Sequence, residues 1–202
     1  LRTVFPYKII EADRAEADDI IAILTEKFAP YERVLIMSSD KDFKQLQKYP
    51  NVDQYSPILK KYLKEDNPNR YLREHIIRGD KSDGIPNFLS DDEVFVENRR
   101  QKPVKKKQLL EWLDMSRDPE DFCDANMLKR WKRNESLVDL TKVPFSMKEN
   151  ILMKFEKEPE GNMKKVFDYF ITNRMMVLME EIDGFKEKKY KNYNETNVMR
   201  MV

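Results

Sequence analysis

Apolar residues in the first third of the chain follow two patterns, helical spacing and continuous runs. Residues 16–28 place apolar side chains at the i, i+3, i+4 and i+7 spacing of one helix face, and Pro30 ends this helix. Residues 33–39 (RVLIMSS) form a continuous run, which predicts a strand buried on both faces of a parallel sheet. The other predicted elements here are strands over residues 7–12 and 52–56 and a short helix over residues 41–47. This order predicts a doubly wound α/β sheet, in which ligands bind at the carboxyl ends of the strands.

Helical spacing continues through the rest of the chain. A helix is predicted over residues 68–80, and its inner face carries the only histidine of the chain, His75, which we interpret as a structural residue. We therefore expect an α/β core, of which the chain carries a part, over residues 1–66 and a helical region over residues 67–202. A helix is predicted from Pro103 to about Leu113, with Leu109, Leu110 and Leu113 facing inward. Trp112 and Trp131 are predicted to have packing roles. Ser146 and Glu149 are predicted to cap a helix, and a further helix is predicted over residues 163–182.

Three groups of acidic residues accompany these elements. The groups are Glu16, Asp18 and Asp19; Asp40 and Asp42; and Asp80 and Asp83. The second group directly follows the buried run, and the first precedes the helix at the same predicted edge of the sheet. Unpaired carboxylates repel one another at short range, so a positive charge must neutralise them. Because no histidine or cysteine lies near the first two groups in the sequence, an all-oxygen site for Mg²⁺ or Mn²⁺ is expected.

The first and third acidic groups also have structural explanations. Acidic residues in the first turn of a helix gain about 0.3–1 kcal/mol from the helix dipole, so the first group could cap the helix. The segment RGDKSDGIPN (78–87) could be an ordinary helix end with a turn, or its backbone amides could bind a phosphate. The sequence leaves these alternatives open.

Composition narrows the class of protein. The chain is 40% hydrophobic and 37% charged, which is typical of a globular protein, and no apolar stretch approaches the length of about 20 residues that spans a membrane. The single cysteine, Cys123, excludes a disulfide framework and fits a reducing compartment, so a cytoplasmic location is expected. The net charge of +1 hides a basic run, RRQKPVKKK (99–107).

Three motifs, in order, resemble those of the 5′-nuclease superfamily, which includes flap endonucleases and the 5′–3′ exonuclease domains of bacterial DNA polymerases. They are EADD (16–19), SSDKDF (38–43) and RGDKSDGIPN (78–87). The closer resemblance is to the ribonucleases H of T-even-type bacteriophages, through KYPNVDQYSPILKKYLK (48–64) and NESLVDL (134–140).

The resemblance implies an α/β fold with a PIN-like, parallel-sheet nuclease core, followed by a helical region with a helix-hairpin-helix motif near residues 68–114. Family members carry further acidic residues and a basic helical arch in an N-terminal segment. We therefore expect that residues upstream of Leu1 belong to the natural protein and complete the nuclease core.

The resemblance also implies roles for the acidic residues. Two Mg²⁺ ions, replaceable by Mn²⁺, would activate a water molecule and stabilise charge on the scissile phosphodiester. The implied ligands are Asp18 and Asp40 for one ion and Asp42, Asp80 and Asp83 for the other, with Glu16 and Asp19 bridging through water. The implied catalytic residues are Asp18, Asp40, Asp42 and Asp83.

The basic run is either a solvated charged surface or a contact for the phosphate backbone of DNA, and the resemblance favours the second. The implied DNA-binding residues are Gly79, Lys81, Gly84, Arg99, Arg100, Lys105, Lys106 and Lys107.

The expected function is 5′–3′ removal of RNA primers and 5′ flaps from DNA and RNA–DNA duplexes by a monomer, with a sliding clamp and a single-strand-binding protein as partners. One alternative is a structure-specific DNA-binding module without catalysis. Another is a metal-dependent phosphatase, against which the basic run argues because a small substrate needs no such surface.

Overall fold

A computed structural model describes residues 1–185 and the backbone of residues 198–201. The α-helices are α1 (Ala17–Phe28), α2 (Pro68–Arg78), α3 (Lys106–Trp112), α4 (Ala125–Val138), α5 (Phe145–Phe155), α6 (Met163–Thr172) and α7 (Met176–Glu180). The strands are β1 (Arg33–Met37), β2 (Val52–Ser56), β3 (Lys61–Leu63) and β4 (Val198–Met201). Short 3-10 helices cover Asp42–Lys48, Pro119–Asp121, Leu140–Lys142 and Ile182–Phe185.

The chain divides into two compact units. Unit 1 comprises Leu1–Ile23 and Pro144–Thr196, and unit 2 comprises Leu24–Val143 and Asn197–Val202, so the boundary falls within α1. This spatial division does not follow the boundary between residues 66 and 67 that was inferred from the sequence, which stays a prediction.

The sheet belongs to unit 2 and has the strand order β3-β2-β1-β4. Strand β1 pairs in parallel with β2, placing Val34 opposite Val52 and Ile36 opposite Gln54, and it pairs in parallel with β4 on its other side. Val34 and Ile36, which share one face of β1, are almost fully buried, whereas Leu35 and Met37 on the other face are only half-buried. Burial on both faces, which the continuous apolar run predicts, is therefore found in part. Strand β3 was not predicted, and it pairs antiparallel with β2.

The strand predicted over residues 7–12 does not form. In unit 1, Lys8 Nζ instead donates to the carbonyl of Phe155 at 2.7 Å, and the carbonyl of Glu11 accepts from Lys154 Nζ at 2.6 Å. The side chains of Tyr7 and Ile9 are exposed. Apolar content alone predicted the strand, but a strand also needs a neighbour with which to exchange backbone hydrogen bonds.

A hydrophobic core joins the helices of unit 2. It consists of Ile76, Ile77, Phe88, Leu109, Trp112, Leu113 and Trp131. The Phe88 ring meets those of Trp112 and Trp131 edge-on, with centroids 4.9 and 6.0 Å away, so the packing role predicted for both tryptophans is confirmed. Leu110, predicted to face inward, is exposed, and α3 begins three residues after Pro103.

The helices of unit 1 differ from their predicted limits. Helix α5 begins at Phe145 after Pro144, so Ser146 lies inside its first turn and is not its cap. The helix predicted over residues 163–182 is interrupted between α6 and α7, where Arg174 has a φ of 55°. Val166 and Phe170 are the buried residues of α6. No helix among the described residues is both long and apolar enough to cross a membrane.

Candidate active site

The second acidic group lies in the connection that leaves the carboxyl end of β1. Asp40 is exposed, and Asp42 opens the 3-10 helix Asp42–Lys48 with its side chain mostly buried. The backbone N–H of Asp42 donates to Asp40 Oδ1 at 2.9 Å, which fixes the two residues relative to each other. Their position at a strand end is the one that the sequence predicts for ligand binding.

Gln54 on the neighbouring strand β2 hydrogen-bonds to the connection that carries Asp40 and Asp42. Its side chain is fully buried, and Nε2 donates to the carbonyl of Ser38 at 3.0 Å and to that of Asp40 at 2.5 Å. A second link joins the Oγ atoms of Ser39 and Ser56 at 2.7 Å. The loop that carries Asp40 is therefore tied to β2 by side chains that the sequence analysis did not single out.

The third acidic group follows the end of α2. Gly79 terminates the helix with a φ of 64°, and Asp80 then forms an isolated antiparallel bridge with Ile85. A Cβ atom at Gly79 would lie 2.4 Å from the carbonyl oxygen of Ile85, so this close approach requires glycine. The chain turns back here and sends the side chain of Asp80 inward, whereas Asp83 stays exposed.

Asp80 is the most heavily hydrogen-bonded carboxylate of the site. One oxygen, Oδ1, accepts from the backbone N–H and the hydroxyl of Ser82. The other, Oδ2, lies 2.6 Å from Lys41 Nζ and 3.2 Å from His75 Nε2. Burial by itself would raise the pKa of Asp80, but the hydrogen bonds from Lys41, Ser82 and His75 outweigh it and hold the pKa well below its usual range. The carboxyl group is therefore ionised at neutral pH.

Lys41 connects the second acidic group to the third. It stands between Asp40 and Asp42 in the sequence, yet its ammonium group pairs with Asp80. The hydrogen bond to Asp80 raises the pKa of Lys41, against a smaller lowering by burial. The charge of Asp80 is thus neutralised by a residue of the other motif.

His75 lies between the two aspartates. Its side chain is 7% exposed; Nε2 points to Asp80 and Nδ1 lies 3.5 Å from Asp42 Oδ1. Donor atoms of Asp42, His75 and Asp80 all lie within 4.8 Å of one another, which makes these three a candidate metal site within the described part of the chain. The sequence predicted that His75 would be buried. It did not reveal that the polar partners of His75 are Asp42 and Asp80, two predicted site residues.

Asp42 differs from Asp80 in its electrostatic environment. Burial raises the pKa of Asp42; the nearby His75 lowers it, and the charges of Asp40 and Asp80 raise it further. Its Oδ1 atom is buried and has no hydrogen-bond partner among the residues that the structure describes. A buried carboxylate oxygen without a donor fits a site that binds a cation.

The first acidic group lies at the N-terminus of α1, in unit 1. Asp19 Oδ2 accepts from the backbone N–H of Glu16 at 2.9 Å, as in the capping that the sequence left open as an alternative. The second and third groups belong to unit 2. That Glu16, Asp18 and Asp19 join them at one site stays a prediction.

The predicted DNA-binding residues are exposed, except Gly79, which is half-buried at the end of α2. Lys81 and Gly84 lie on the turn after α2, and Lys105, Lys106 and Lys107 lie at the start of α3. Arg99 forms ion pairs with Glu97 at 2.5 Å and with Asp91 at 3.6 Å, so part of its charge is compensated within the protein. This exposure is compatible both with a solvated surface and with phosphate contacts.

Comparison with known proteins decides the family. Residues 2–76 match the family model "5'-3' exonuclease, N-terminal resolvase-like domain", and residues 67–185 match "T4 RNase H, C terminal". The chain belongs to the T4 RNase H family. Ribonuclease H of Enterobacteria phage T4 is 31% identical over 192 residues, which cover 92% of this chain and 63% of that protein. The resemblance inferred from the three motifs is thereby confirmed, and the order of a resolvase-like nuclease domain and a helical C-terminal domain agrees with it.

Proposed function

We propose that this T4 RNase H family member is a metal-dependent 5′–3′ nuclease that removes RNA primers and 5′ flaps during DNA replication. The observation that carries the proposal is the meeting of the second and third acidic motifs, where Lys41 and His75 join Asp80 to the Asp40–Asp42 segment. The family membership supplies the reaction class.

The cofactor that we propose for the reaction is Mg²⁺, with Mn²⁺ as a substitute. In the proposed reaction two such ions supply Lewis acidity and an activated water molecule. Asp40, Asp42 and Asp83 are the ligands that we propose from unit 2, with Asp18 from the first motif and Glu16 and Asp19 acting through water. The carboxylate of Asp80 already accepts four hydrogen bonds, so we assign it a positioning role in place of the direct ligation that the family resemblance implied.

The substrate that we propose is a duplex with a 5′ flap or a nick, of DNA or RNA–DNA. The exposed lysines at the start of α3 can contact the phosphate backbone without reading bases, as can Arg100 and Lys81. Gly79 and Gly84 shape the turn beside them, and the helix-hairpin-helix assignment near residues 68–114 belongs to the same proposal. We also propose that the protein acts as a monomer in the host cytoplasm, together with a sliding clamp and a single-strand-binding protein.

The test is cleavage of a 5′-labelled flap duplex in Mg²⁺ by the chain and by Asp40→Asn. We expect the variant to lose cleavage while it binds the duplex at low salt as tightly as the unchanged chain, or more tightly because a repelling charge is gone. Asp53→Asn, an exposed carboxylate paired with Arg33, is the matched control and should cleave normally.

Each outcome of this experiment bears on a different interpretation. Binding without cleavage by the unchanged chain would favour the DNA-binding module. Hydrolysis of p-nitrophenyl phosphate without flap cleavage would favour a phosphatase. Full cleavage by Asp40→Asn would overturn the proposed role of the second motif.

A further inference from the structure

Two buried polar atoms without hydrogen-bond partners face each other at the candidate site. His75 Nδ1 and Asp42 Oδ1 are 3.5 Å apart, and neither has a hydrogen-bond partner in the part of the chain that the structure describes. The side chain of His75 is more than nine-tenths buried, so bulk water cannot readily satisfy its nitrogen. Two buried polar atoms that lie close together without hydrogen-bond partners require an explanation.

The other ring nitrogen determines what Nδ1 can do. His75 Nε2 lies 3.2 Å from Oδ2 of Asp80, an oxygen that also accepts from Lys41. An ionised carboxylate can only accept, so Nε2 carries the proton and donates it. In the neutral imidazole the remaining nitrogen, Nδ1, then directs a lone pair at Asp42 Oδ1.

Direct pairing between a charged imidazole and Asp42 does not account for the distance. A charge-assisted N–H···O bond has a length of about 2.7–2.9 Å, whereas these atoms are 3.5 Å apart. With metal–ligand bonds of about 2.0–2.2 Å, two neighbouring donors on one divalent cation lie about 3.0–3.4 Å apart. The observed separation is closer to that of two ligands on one metal ion than to that of a charge-assisted hydrogen bond.

We propose that Asp42 Oδ1 and His75 Nδ1 are a ligand pair for one divalent transition-metal ion, such as Mn²⁺ or Zn²⁺, and that Asp80 orients the imidazole. A histidine that binds a metal through one nitrogen commonly donates its other N–H to a carboxylate, and such partners fix the tautomer and ring orientation. Asp80 is in the position of that carboxylate, and Lys41 and Ser82 hold it there.

The nitrogen changes which metal the site prefers. The sequence predicted an all-oxygen site for a hard cation, but imidazole is a softer ligand than carboxylate and favours transition metals over Mg²⁺. The inference rests on the proposed function only in that Asp42 belongs to the nuclease metal site. It concerns the residues that bind the metal and makes no claim about the substrate.

The single histidine allows a direct test by spectroscopy. In tag-free protein, any imidazole nitrogen coupled to bound Mn²⁺ must come from His75, because the chain contains one histidine. We expect a ¹⁴N coupling in pulsed EPR spectra of the Mn²⁺-loaded protein. In ¹⁵N-labelled protein titrated with Zn²⁺, we expect the Nδ1 resonance to shift while Nε2 stays protonated.

Variants separate ligation from folding. His75→Leu should weaken binding of Mn²⁺ and Zn²⁺ by at least about tenfold while changing that of Mg²⁺ by less than about threefold, as measured by calorimetry. Asp80→Asn should weaken Mn²⁺ binding by about tenfold through the misoriented ring. The control Asp53→Asn should leave all three affinities unchanged, since Asp53 pairs with Arg33 on the sheet.

Several results would overturn the inference. They are Mn²⁺ bound at Asp42 without nitrogen coupling, an imidazolium with both nitrogens protonated in the presence of Zn²⁺, or an equal loss of Mg²⁺ and Mn²⁺ affinity in His75→Leu. The spectra of the unchanged chain decide the matter even if a variant fails to fold. Flap cleavage in Mg²⁺ without nitrogen coupling would refute this inference alone, and nitrogen coupling without cleavage would refute the proposed function alone.

Discussion

Replacing Gln54 with leucine should impair the nuclease without touching an acidic residue. Gln54 is fully buried on β2, and its amide nitrogen is the donor for the carbonyls of Ser38 and Asp40. Leucine keeps most of the volume but removes this donor. The loop between β1 and the 3-10 helix would then lose its tie to the sheet, and Asp40 would no longer be held in place.

The size of the effect follows from the two hydrogen bonds that Gln54 donates to carbonyls of the loop. Each carbonyl that loses its partner in a partly buried site costs about 1–1.5 kcal/mol, so the free energy of unfolding should fall by about 2–3 kcal/mol. Misplacement of a catalytic group by about 1 Å can reduce the rate by about 100-fold. We therefore expect kcat for flap cleavage to fall by about 10–100-fold, with little change in duplex affinity.

The assay combines urea unfolding, flap cleavage and duplex binding, with Gln45→Leu as the matched control. Gln45 is also a buried glutamine, and its side chain hydrogen-bonds to the carbonyl of Val138 and the N–H of Leu140, but it does not bind the Asp40 loop. The control should lose similar stability and keep its kcat. If both variants lose kcat equally, general loosening and not the Asp40 loop explains the effect. If Gln54→Leu cleaves normally, the positioning argument is wrong.

Three other predictions concern the basic run, the cysteine and the turn after α2. Neutralising Lys105–Lys107 should weaken duplex binding and flatten its dependence on salt, measured by anisotropy titration, with little effect on the maximal cleavage rate; an unchanged salt slope would mean a merely solvated surface. Burial raises the pKa of Cys123 to about 11, so its alkylation rate should keep rising about tenfold per pH unit up to pH 9.5, and a plateau near pH 9 would contradict this. Gly79→Ala should destabilise the fold by about 3 kcal/mol or more in urea unfolding. Gly84→Ala, also at positive φ but with open space around a Cβ, should cost only about 1 kcal/mol, and equal costs would refute the role of the close contact.

The elements predicted well from the sequence are those with short-range causes. Helix α1 needs only its periodic apolar face and a proline two residues after its end, and the structure places it within one residue of the prediction. Strands β1 and β2 are dense apolar or alternating runs separated by one short helix, and their parallel pairing follows from that order. The amino-acid sequence by itself is therefore enough to place the acidic pair after β1 at a strand end.

The contacts that the sequence could not reveal join residues far apart in the chain. Nothing in the segment around Gln54 indicates that its amide binds carbonyls of the connection after β1. His75 could not be assigned to the site either, because a histidine on an apolar helix face usually has a structural role. Its partner Asp80 returns to it only through the turn at Gly79, which requires a positive φ that the sequence suggests but does not specify.

The distribution of positive charge explains why aspartates of two motifs can have different roles. Asp80 is paired with Lys41 and accepts hydrogen bonds from Ser82 and His75, so its charge is compensated inside the protein. Asp42 is also largely buried, but burial raises its pKa and one of its oxygens has no donor among the described residues. A cation is the natural partner for the carboxylate that the protein leaves uncompensated, and the compensated one can hold the histidine beside it. Exchanging these roles would require Lys41 to move away from Asp80, which would leave a buried carboxylate without its ion pair.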